Sequence, residues 1–398
     1  MVPLKGTIFL CGPLTQRIWL SDFALPHDHN TSTTSFINSL QLMSSSDTID
    51  TEDIPDTAIR NGASSHQVII FLIRTFAVSI VAIMVLFLLN NYLNVWRQWP
   101  GLPSFFSHHG WFGLEALRTP LVDEQVTKGW LQLLSYLGAV ALAGLYVFWT
   151  DKRPLRADAA LLSRFAAYII RAAFWIVLII GFVDILISYL RVENLLSPLV
   201  GEDLTHALGR PQFRGMYVHF PLILLSFVIA FFNRSLGFTW LAFLVVLAEF
   251  QIVISRFVFS YEQPFMGDLV RFWYAALFLF ASAYTLVHDG HVRVDVLYSR
   301  FNKRSKAWTN AVGTLLLGLP LGWVILATGM WDRMSSINSP LYSFEVSQSG
   351  YGLYVKYLMV GFLAVYAVSM IIQFSSYLLD SIADLRQEPG GDELSGES

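Results

Sequence analysis

Charge is the scarcest ingredient of this 398-residue sequence. Asp, Glu, Lys and Arg together supply only 14% of the residues, whereas 55% are hydrophobic and 15% are aromatic. A soluble protein carries roughly 25% charged residues, so this deficit excludes an ordinary water-exposed surface. The formal net charge of −3 also gives no reason to expect nucleic-acid binding. The composition therefore predicts an integral membrane protein.

Cysteine is almost absent from the sequence. Cys11 is the one cysteine, which excludes an intramolecular disulfide and any zinc or iron–sulfur site built from several cysteines. His288, Asp289 and His291 are residue types that bind metals, but no further histidine or cysteine stands at ligand spacing. We therefore predict no metal site and no cofactor.

Long apolar runs, in contrast, are abundant. A helix needs about 20 mostly apolar residues to cross the hydrocarbon core of a membrane. The runs that reach or approach this length are 68–89, 130–149, 166–190, 215–232, 236–255, 269–287, 307–331 and 355–379. They lack the alternating polarity of barrel strands, and a backbone in lipid must satisfy its own hydrogen bonds. We therefore predict an all-α integral membrane protein with about eight transmembrane helices.

Basic residues gather at every second joint between these runs. The joints at 151–164 and 293–306 contain most of them, and Arg234 lies in the tight turn between the fourth and fifth runs. Cytoplasmic loops of membrane proteins are enriched in Lys and Arg. We therefore place these joints in the cytoplasm, and the even number of spans then puts both termini there.

The patterns divide the chain into four regions. Residues 1–67 are predicted to be a polar, disordered segment, because they contain too little apolar surface to form a core. Met43, just before the most polar part, suggests a translation start downstream of Met1. An additional four-helix membrane region follows at 68–235, a second four-helix region at 236–385 and an acidic tail at 386–398. No period of 20–50 residues repeats, which argues against an inverted-repeat transporter built from this chain alone.

Three motifs follow one another in the second four-helix region. The first helix ends in "SRFVF" at 255–259, the next begins with "GDLVRFWY" at 267–274, and the joint after it reads "HDGHVRVDVLYSRF" at 288–301. Two further apolar runs and a polar C-terminus complete the order. It resembles the small membrane subunit (DctQ type) of tripartite ATP-independent periplasmic (TRAP) transporters over roughly 236–385. The loop "FSYEQPF" departs from the family because it lacks an expected tryptophan, and the first four runs have no counterpart in the compact family type.

The resemblance identifies candidates for contact with another subunit. They are the residues that match the family motifs: Arg256, Asp268, Arg271, His291, Arg293 and Asp295. Basic side chains in the joint at 293–306 also anchor a loop to anionic headgroups. A charge that is satisfied locally at the membrane surface is therefore an equal alternative to an intersubunit contact at Arg293 and Asp295.

The resemblance also implies a function. In this family the small subunit is not an enzyme, needs no cofactor and pairs with a large permease subunit (DctM type) in the bacterial inner membrane. The large subunit binds substrate and sodium and moves like an elevator, while a periplasmic substrate-binding protein delivers the solute, often an organic acid. The resemblance therefore implies that this chain is a static scaffold, in contact with membrane lipid, for ion-coupled uptake.

Two acids, Asp184 and Glu249, lie inside the predicted spans. Acids within a membrane are costly, which makes each a candidate for a functional role. Asp184 could bind sodium, carry a proton or pair with Arg171 or Arg74. We favour hydrogen bonding between helices for both acids, because a lone carboxylate without further ligands makes a poor ion site. His219, near the end of a predicted span, is expected at the membrane interface.

Two other classes of function compete with the scaffold. A stand-alone transporter or channel would need broken helices or a polar stripe through several spans, and the sequence has only isolated charges there. A membrane enzyme or haem protein is the less favoured alternative. Haem would need paired histidines from two spans, and only His219 falls inside one. No serine, histidine and acid motif appears near an interface, and we predict no catalytic residue.

Overall fold

The computed structural model describes residues 56–234, 237–261, 263–287, 298–346 and 352–390. The chain divides into residues 1–60 and 61–398, and all the packing described below belongs to the second unit. Of the predicted N-terminal segment, residues 1–55 lie outside the described residues, and so does most of the C-terminal tail. Residues 56–67 are helical, so the first helix begins well before the apolar run at 68–89.

Most of the described residues are helical, and none of them lies in a strand. The long helices are α1 (Asp56–Arg97), α3 (Asp123–Trp149), α4 (Leu155–Val192), α7 (Pro211–Phe232), α8 (Phe238–Val258), α9 (Met266–Val287), α10 (Lys303–Gly329) and α12 (Lys356–Leu385). The short helices are α2 (Gly101–His109), α5 (Leu196–Val200), α6 (Glu202–Leu208) and α11 (Asn338–Ser343). The prediction of an all-α membrane protein is confirmed in its fold class, whereas the orientation of the termini stays a prediction.

Seven helices within the described ranges are long and apolar enough to cross a membrane. They are all the long helices except α9, and they coincide with seven of the predicted spans. The run at 269–287 forms α9, whose side chains at 283, 284 and 287 lie outside the described residues, so its crossing stays a prediction. Helix α4 contains 38 residues, which gives a length of about 57 Å. It exceeds the roughly 30 Å of hydrocarbon and must tilt or extend beyond it.

Two of the long helices widen for one turn just before a proline. A π-helical turn occupies Gly215–His219 in α7 and precedes Pro221, and another occupies Thr314–Gly318 in α10 and precedes Pro320. Proline has no N–H to donate, and its ring crowds the carbonyl of the preceding turn. The widened turn relieves this conflict and rotates the residues on its N-terminal side.

Helices α4 and α12 form the centre of the fold, because both contribute to each of two hydrophobic clusters. The first cluster joins α4 to α8, α9 and the beginning of α12. The second joins the beginning of α4 to α1, α10 and the remainder of α12. Helices from both predicted four-helix regions therefore pack into the same core, and the boundary at 235–236 stays a prediction from sequence.

Helix α8 lies at the edge of this core. In the most apolar part of α8, only 11% is buried within the chain, against 44% for the corresponding part of α4. Gly237, before its first residue, has a φ of +69° and lies so close to Phe174 of α4 that a Cβ would overlap the phenyl ring. Just beyond its last residue, the Tyr261 hydroxyl donates to Glu193 Oε1 at 3.0 Å. The contact before α8 is with an earlier residue of α4, and the contact after it is with a later one. Helix α8 therefore runs parallel to α4.

Candidate functional site: a buried polar network

Asp184 is the centre of a polar network that is closed off from the surface. Its carboxylate is fully buried on α4, and Oδ1 accepts hydrogen bonds from Arg214 Nη1 at 2.9 Å and from His219 Nε2 at 3.2 Å. Both partners come from α7: Arg214 directly precedes the π-helical turn, and His219 is the last residue of that turn. Arg214 and His219 are themselves buried. The widened turn thus brings both side chains to the same carboxylate.

The other carboxylate oxygen joins α4 to the beginning of α12. Asp184 Oδ2 accepts the backbone N–H of Tyr354 at 2.8 Å, two residues before α12 begins. The Tyr357 hydroxyl, in the first turn of α12, lies 2.7 Å from His219 Nδ1. We call Asp184, Ser188, Arg214, His219, Tyr354 and Tyr357 the Asp184 network. It connects three helices that are distant in sequence.

The Arg214 guanidinium is satisfied by several kinds of contact. Its Nε donates to the carbonyl oxygen of Leu208 at 3.0 Å, and Nη1 also reaches Ser188 Oγ at 3.3 Å. Nη2 has no hydrogen-bond partner within the described residues, but the guanidinium carbon lies 4.0 Å from the centroid of the Tyr354 ring. A cation over an aromatic face is attracted by the electrons of the ring, which compensates for the missing hydrogen bond.

The hydrogen bonds to Asp184 are donated by its partners. A carboxylate only accepts hydrogen bonds, so His219 donates from Nε2. The other ring nitrogen of His219, Nδ1, lies 2.7 Å from the Tyr357 hydroxyl, and the Arg214 guanidinium pairs with the carboxylate. All three donors to Asp184 come from the chain itself, and one of them is the Arg214 guanidinium, which neutralises the carboxylate. The arrangement is suited to holding helices together through hydrogen bonds in an apolar medium.

A second buried ion pair joins α1, α3 and α4. Arg74 Nη2 lies 2.7 Å from Asp158 Oδ2, and both side chains are almost fully buried. Arg74 also donates to the backbone and side-chain oxygens of Thr150 at 2.9 and 3.0 Å. Arg153 Nε approaches Asp158 Oδ1 at 3.1 Å. The carboxylate is therefore shared by two cations in a region that the sequence presents as a cytoplasmic joint.

Several sequence expectations for these charges differ from the structure. Asp184 pairs with Arg214 and not with Arg74 or Arg171. His219 is fully buried within the chain, and its position at the membrane interface stays a prediction. Sequence reasoning did not single out Arg214 or Asp158, because both lie in segments that resemble polar loops. The one available signal was excess charge beside an apolar run, which is also what a solvated loop displays.

Three of the family-motif residues, Arg256, Asp268 and Arg271, lie at the end of α8 and the beginning of α9, which face the periplasm in the predicted orientation. Asp268 Oδ1 lies 3.6 Å from Arg271 Nη1, and Oδ2 accepts the backbone N–H of Leu353 at 3.2 Å. Asp268 thus fastens the start of α9 to the segment before α12. Arg271 is 76% exposed, and Arg256 is exposed in the last turn of α8. His291, Arg293 and Asp295 lie outside the described residues, so their proposed role stays a prediction.

The contact between the Tyr261 hydroxyl and Glu193 changes the acidity of the tyrosine. The hydrogen bond to the negatively charged Glu193 raises the pKa of Tyr261 above its ordinary value, because loss of the hydroxyl proton would leave two anions in contact.

Within the described residues, no group of three or more His, Cys, Asp or Glu side chains is placed to bind a metal ion.

The long apolar helices and their internally paired charges define a multi-pass α-helical membrane protein. Residues 242–376 match a family described as tripartite ATP-independent periplasmic transporters, DctQ component. Residues 242–376 are thus similar to the DctQ component, and additional apolar helices precede them. No curated protein and no solved structure matches the chain. The Asp184 network joins α4 and α7, which precede the matched residues, to Tyr354 and Tyr357 within them.

Proposed function

We propose that this chain is the small permease subunit of a TRAP transporter and that it acts as a static scaffold for a large DctM-type permease. The match of residues 242–376 to the DctQ component carries the proposal. The transporter would take up an organic acid or a similar solute, coupled to an ion and delivered by a periplasmic substrate-binding protein. We place it in a bacterial inner membrane and assign it no catalytic step.

The packing of the charged residues supports the scaffold role. Asp158 and Asp184 are both paired with arginines inside the chain, at 2.7 and 2.9 Å, and both acids are buried. A site that carries a solute or an ion needs polar groups that can exchange their partners. Groups already engaged by neighbouring helices instead fix the positions of those helices. Substrate and ion binding are therefore assigned to the large subunit.

Copurification and uptake together test this function. The chain carries an affinity tag and is expressed with a DctM-type permease from the same genome. We expect the permease to be retained in about equal amounts and solute uptake into liposomes to require both membrane subunits and the binding protein. The chain reconstituted alone is expected to accumulate no solute. Accumulation by the chain alone would instead support a stand-alone transporter.

A further inference from the structure

Glu249 differs from Asp158 and Asp184, the two buried acids of the long helices. It lies on α8, twelve residues after Gly237 and twelve before Tyr261, and its side chain is exposed. It forms no hydrogen bond or ion pair with any residue that the structure describes. Asp158 and Asp184 are in contrast buried and paired. The chain thus pairs these two buried acids and leaves Glu249 facing outward.

An acid in this position is costly in lipid. A carboxylate at the middle of a membrane helix finds no donor among lipid tails, and such residues usually face another helix or water. The residues beside it on the same helix face, Val246 and Val253, are 66% and 49% exposed. Three and four residues separate them from Glu249, so the three form one stripe. Small branched neighbours allow a second helix to approach the carboxylate closely.

The level of Glu249 along the helix axes can be read from the two ends of α8. Gly237 lies beside Phe174 and Tyr261 beside Glu193, so Glu249 lies at the level of about residues 183–184 of α4. Arg156 and Arg171 of α4 each have a buried Nε without a hydrogen-bond partner in the described chain, and Arg171 is the nearer of the two to the level of Glu249. It lies three residues before Phe174, which separates it from Glu249 by roughly 20 Å along the axes.

A second copy of this chain is therefore a poor source for the missing partner. Copies related by a rotation axis normal to the membrane keep every residue at its own depth, so Arg171 cannot reach Glu249 of a neighbour. Arg271 lies at a suitable level, because Gly181 of α4 contacts its neighbours Leu269 and Trp273. It is, however, already ion-paired with Asp268. Arg256 lies seven residues beyond Glu249, about 10 Å along the helix.

We propose that the α8 stripe of Val246, Glu249 and Val253 docks against a membrane helix of the large permease subunit. This helix presents an arginine or lysine at the level of Glu249. The inference rests on the proposed function, because it takes its partner from there. It adds the contact surface and the charge of the recognising residue. Pairing in a low-dielectric interface excludes membrane helices that lack a cation at this depth.

Charge variants at Glu249 test the proposal with the tagged chain and the same DctM-type permease. Glu249→Lys is expected to lower the retained permease roughly tenfold or more, because it opposes two cations. Glu249→Gln still accepts a hydrogen bond and is expected to retain within about threefold of the wild type. Asp203→Lys is the matched control, since Asp203 is exposed on α6 outside the long helices. Full retention of the permease by Glu249→Lys would overturn the proposal.

Compensation identifies the opposing residue. Each Arg or Lys within the membrane spans of the permease is changed to Glu and paired with Glu249→Lys, and one such change is expected to restore retention. If no change restores it, the proposed ion pair is wrong. If the wild-type chain retains no permease at all, both the docking site and the proposed function fail. If the permease is lost only with Glu249→Lys, both the docking site and the proposed function are supported. If the wild type and this variant both retain it, the docking site alone fails.

Crosslinking tests the alternative occupant. Val246→Cys or Val253→Cys is introduced together with Cys11→Ser, which removes the natural thiol. We expect crosslinks from these positions to the permease. A crosslinked pair of two copies of this chain, abolished by Arg271→Gln, would assign the stripe to self-association and overturn the proposal.

Discussion

At the scale of single residues, buried charged side chains are tolerated in this apolar protein because they are paired with one another. Removing Asp184 and Arg214 from water costs several kcal/mol for each charge. Their contact at 2.9 Å and the further donors to the carboxylate offset this cost. The pair is therefore expected to matter mainly through the penalty for leaving either member alone.

A double-mutant cycle tests this reasoning. Asp184→Leu or Arg214→Leu alone should reduce the free energy of unfolding by about 3–5 kcal/mol, because each leaves an unpaired buried charge. The double variant should cost less than the sum, since no charge remains. Thermal unfolding of the purified chain in detergent measures the effect, with Asp203→Leu on the exposed surface of α6 as control. Additive losses would show that the two side chains act independently.

Tyr357→Phe isolates one hydrogen bond of the same network. The change deletes the hydroxyl that lies 2.7 Å from His219 Nδ1 and leaves the ring in place. A buried acceptor without its donor costs about 1–3 kcal/mol, so a loss in this range is expected. The same unfolding measurement on Tyr366→Phe, whose hydroxyl is not part of the network, is the control. An equal response of both variants would contradict the assigned role of the hydroxyl.

The sequence could identify Asp184 but not its partners. An acid inside an apolar run is conspicuous, whereas Arg214 falls within a stretch that contains Pro211, several short helices and both charge signs. Its burial depends on the π-helical turn that follows it, and proline at 221 indicates a distortion without giving its direction. Glu249 was equally conspicuous, but nothing in the sequence tells whether its helix face is covered.

At the scale of helices, close approach depends on glycine where two helices touch. A Cβ at Gly181 of α4 would lie 2.5 Å from Trp273 Nε1 on α9, whereas one at Gly138 of α3 would meet nothing within 4 Å. Trp273 is 3% exposed, so neighbouring side chains enclose its ring. The contact between α4 and α9 therefore requires glycine at position 181.

Alanine at these two glycines should have opposite effects. Gly181→Ala is expected to reduce the free energy of unfolding by about 1–3 kcal/mol through overpacking. Gly138→Ala is expected to be neutral or to stabilise by up to about 1 kcal/mol, because alanine favours the helix. Unfolding of both variants under identical detergent conditions makes the comparison. Equal effects would show that the Trp273 contact yields without cost.

The existence of the helices was predictable, and their ends were not. Apolar length alone located the seven spans, because a membrane helix needs a long run and little else. Helix α4 nevertheless begins at Leu155, eleven residues before the predicted run at 166–190. Its first turns contain Asp158, a charged residue that the sequence alone assigns to a loop. In the structure, Asp158 is paired with Arg74. Pairing over a distance is invisible to a reading of local hydropathy.

At the scale of the whole molecule, the predicted orientation can be tested with single thiols. In a Cys11→Ser background, Ser336→Cys lies between α10 and α11 and Ser305→Cys in the first turn of α10. We expect a membrane-impermeant maleimide to label the former in intact spheroplasts and the latter only after permeabilisation. Arg and Lys around 293–306 keep that joint in the cytoplasm. The reverse labelling pattern would invert the topology.

A chain that begins at residue 236 should not fold stably by itself. It would retain the whole DctQ match but lose α4 and α7, which supply Asp184, Arg214 and His219 to the first turns around Tyr354 and Tyr357. It would also lose the α4 side of the first hydrophobic cluster. Size-exclusion chromatography of the truncated and full-length proteins compares them. A monodisperse, heat-stable truncated protein would show that the additional helices are dispensable for folding.

The Asp184 network has a consequence for motion within any assembly. The same carboxylate accepts hydrogen bonds from the side chains of α7 and from the backbone just before α12. Separating these helices would strip an anion of its donors in a medium that offers no replacement. We therefore expect α4, α7 and α12 to travel as one rigid body, so that any hinge of a working transporter lies outside them.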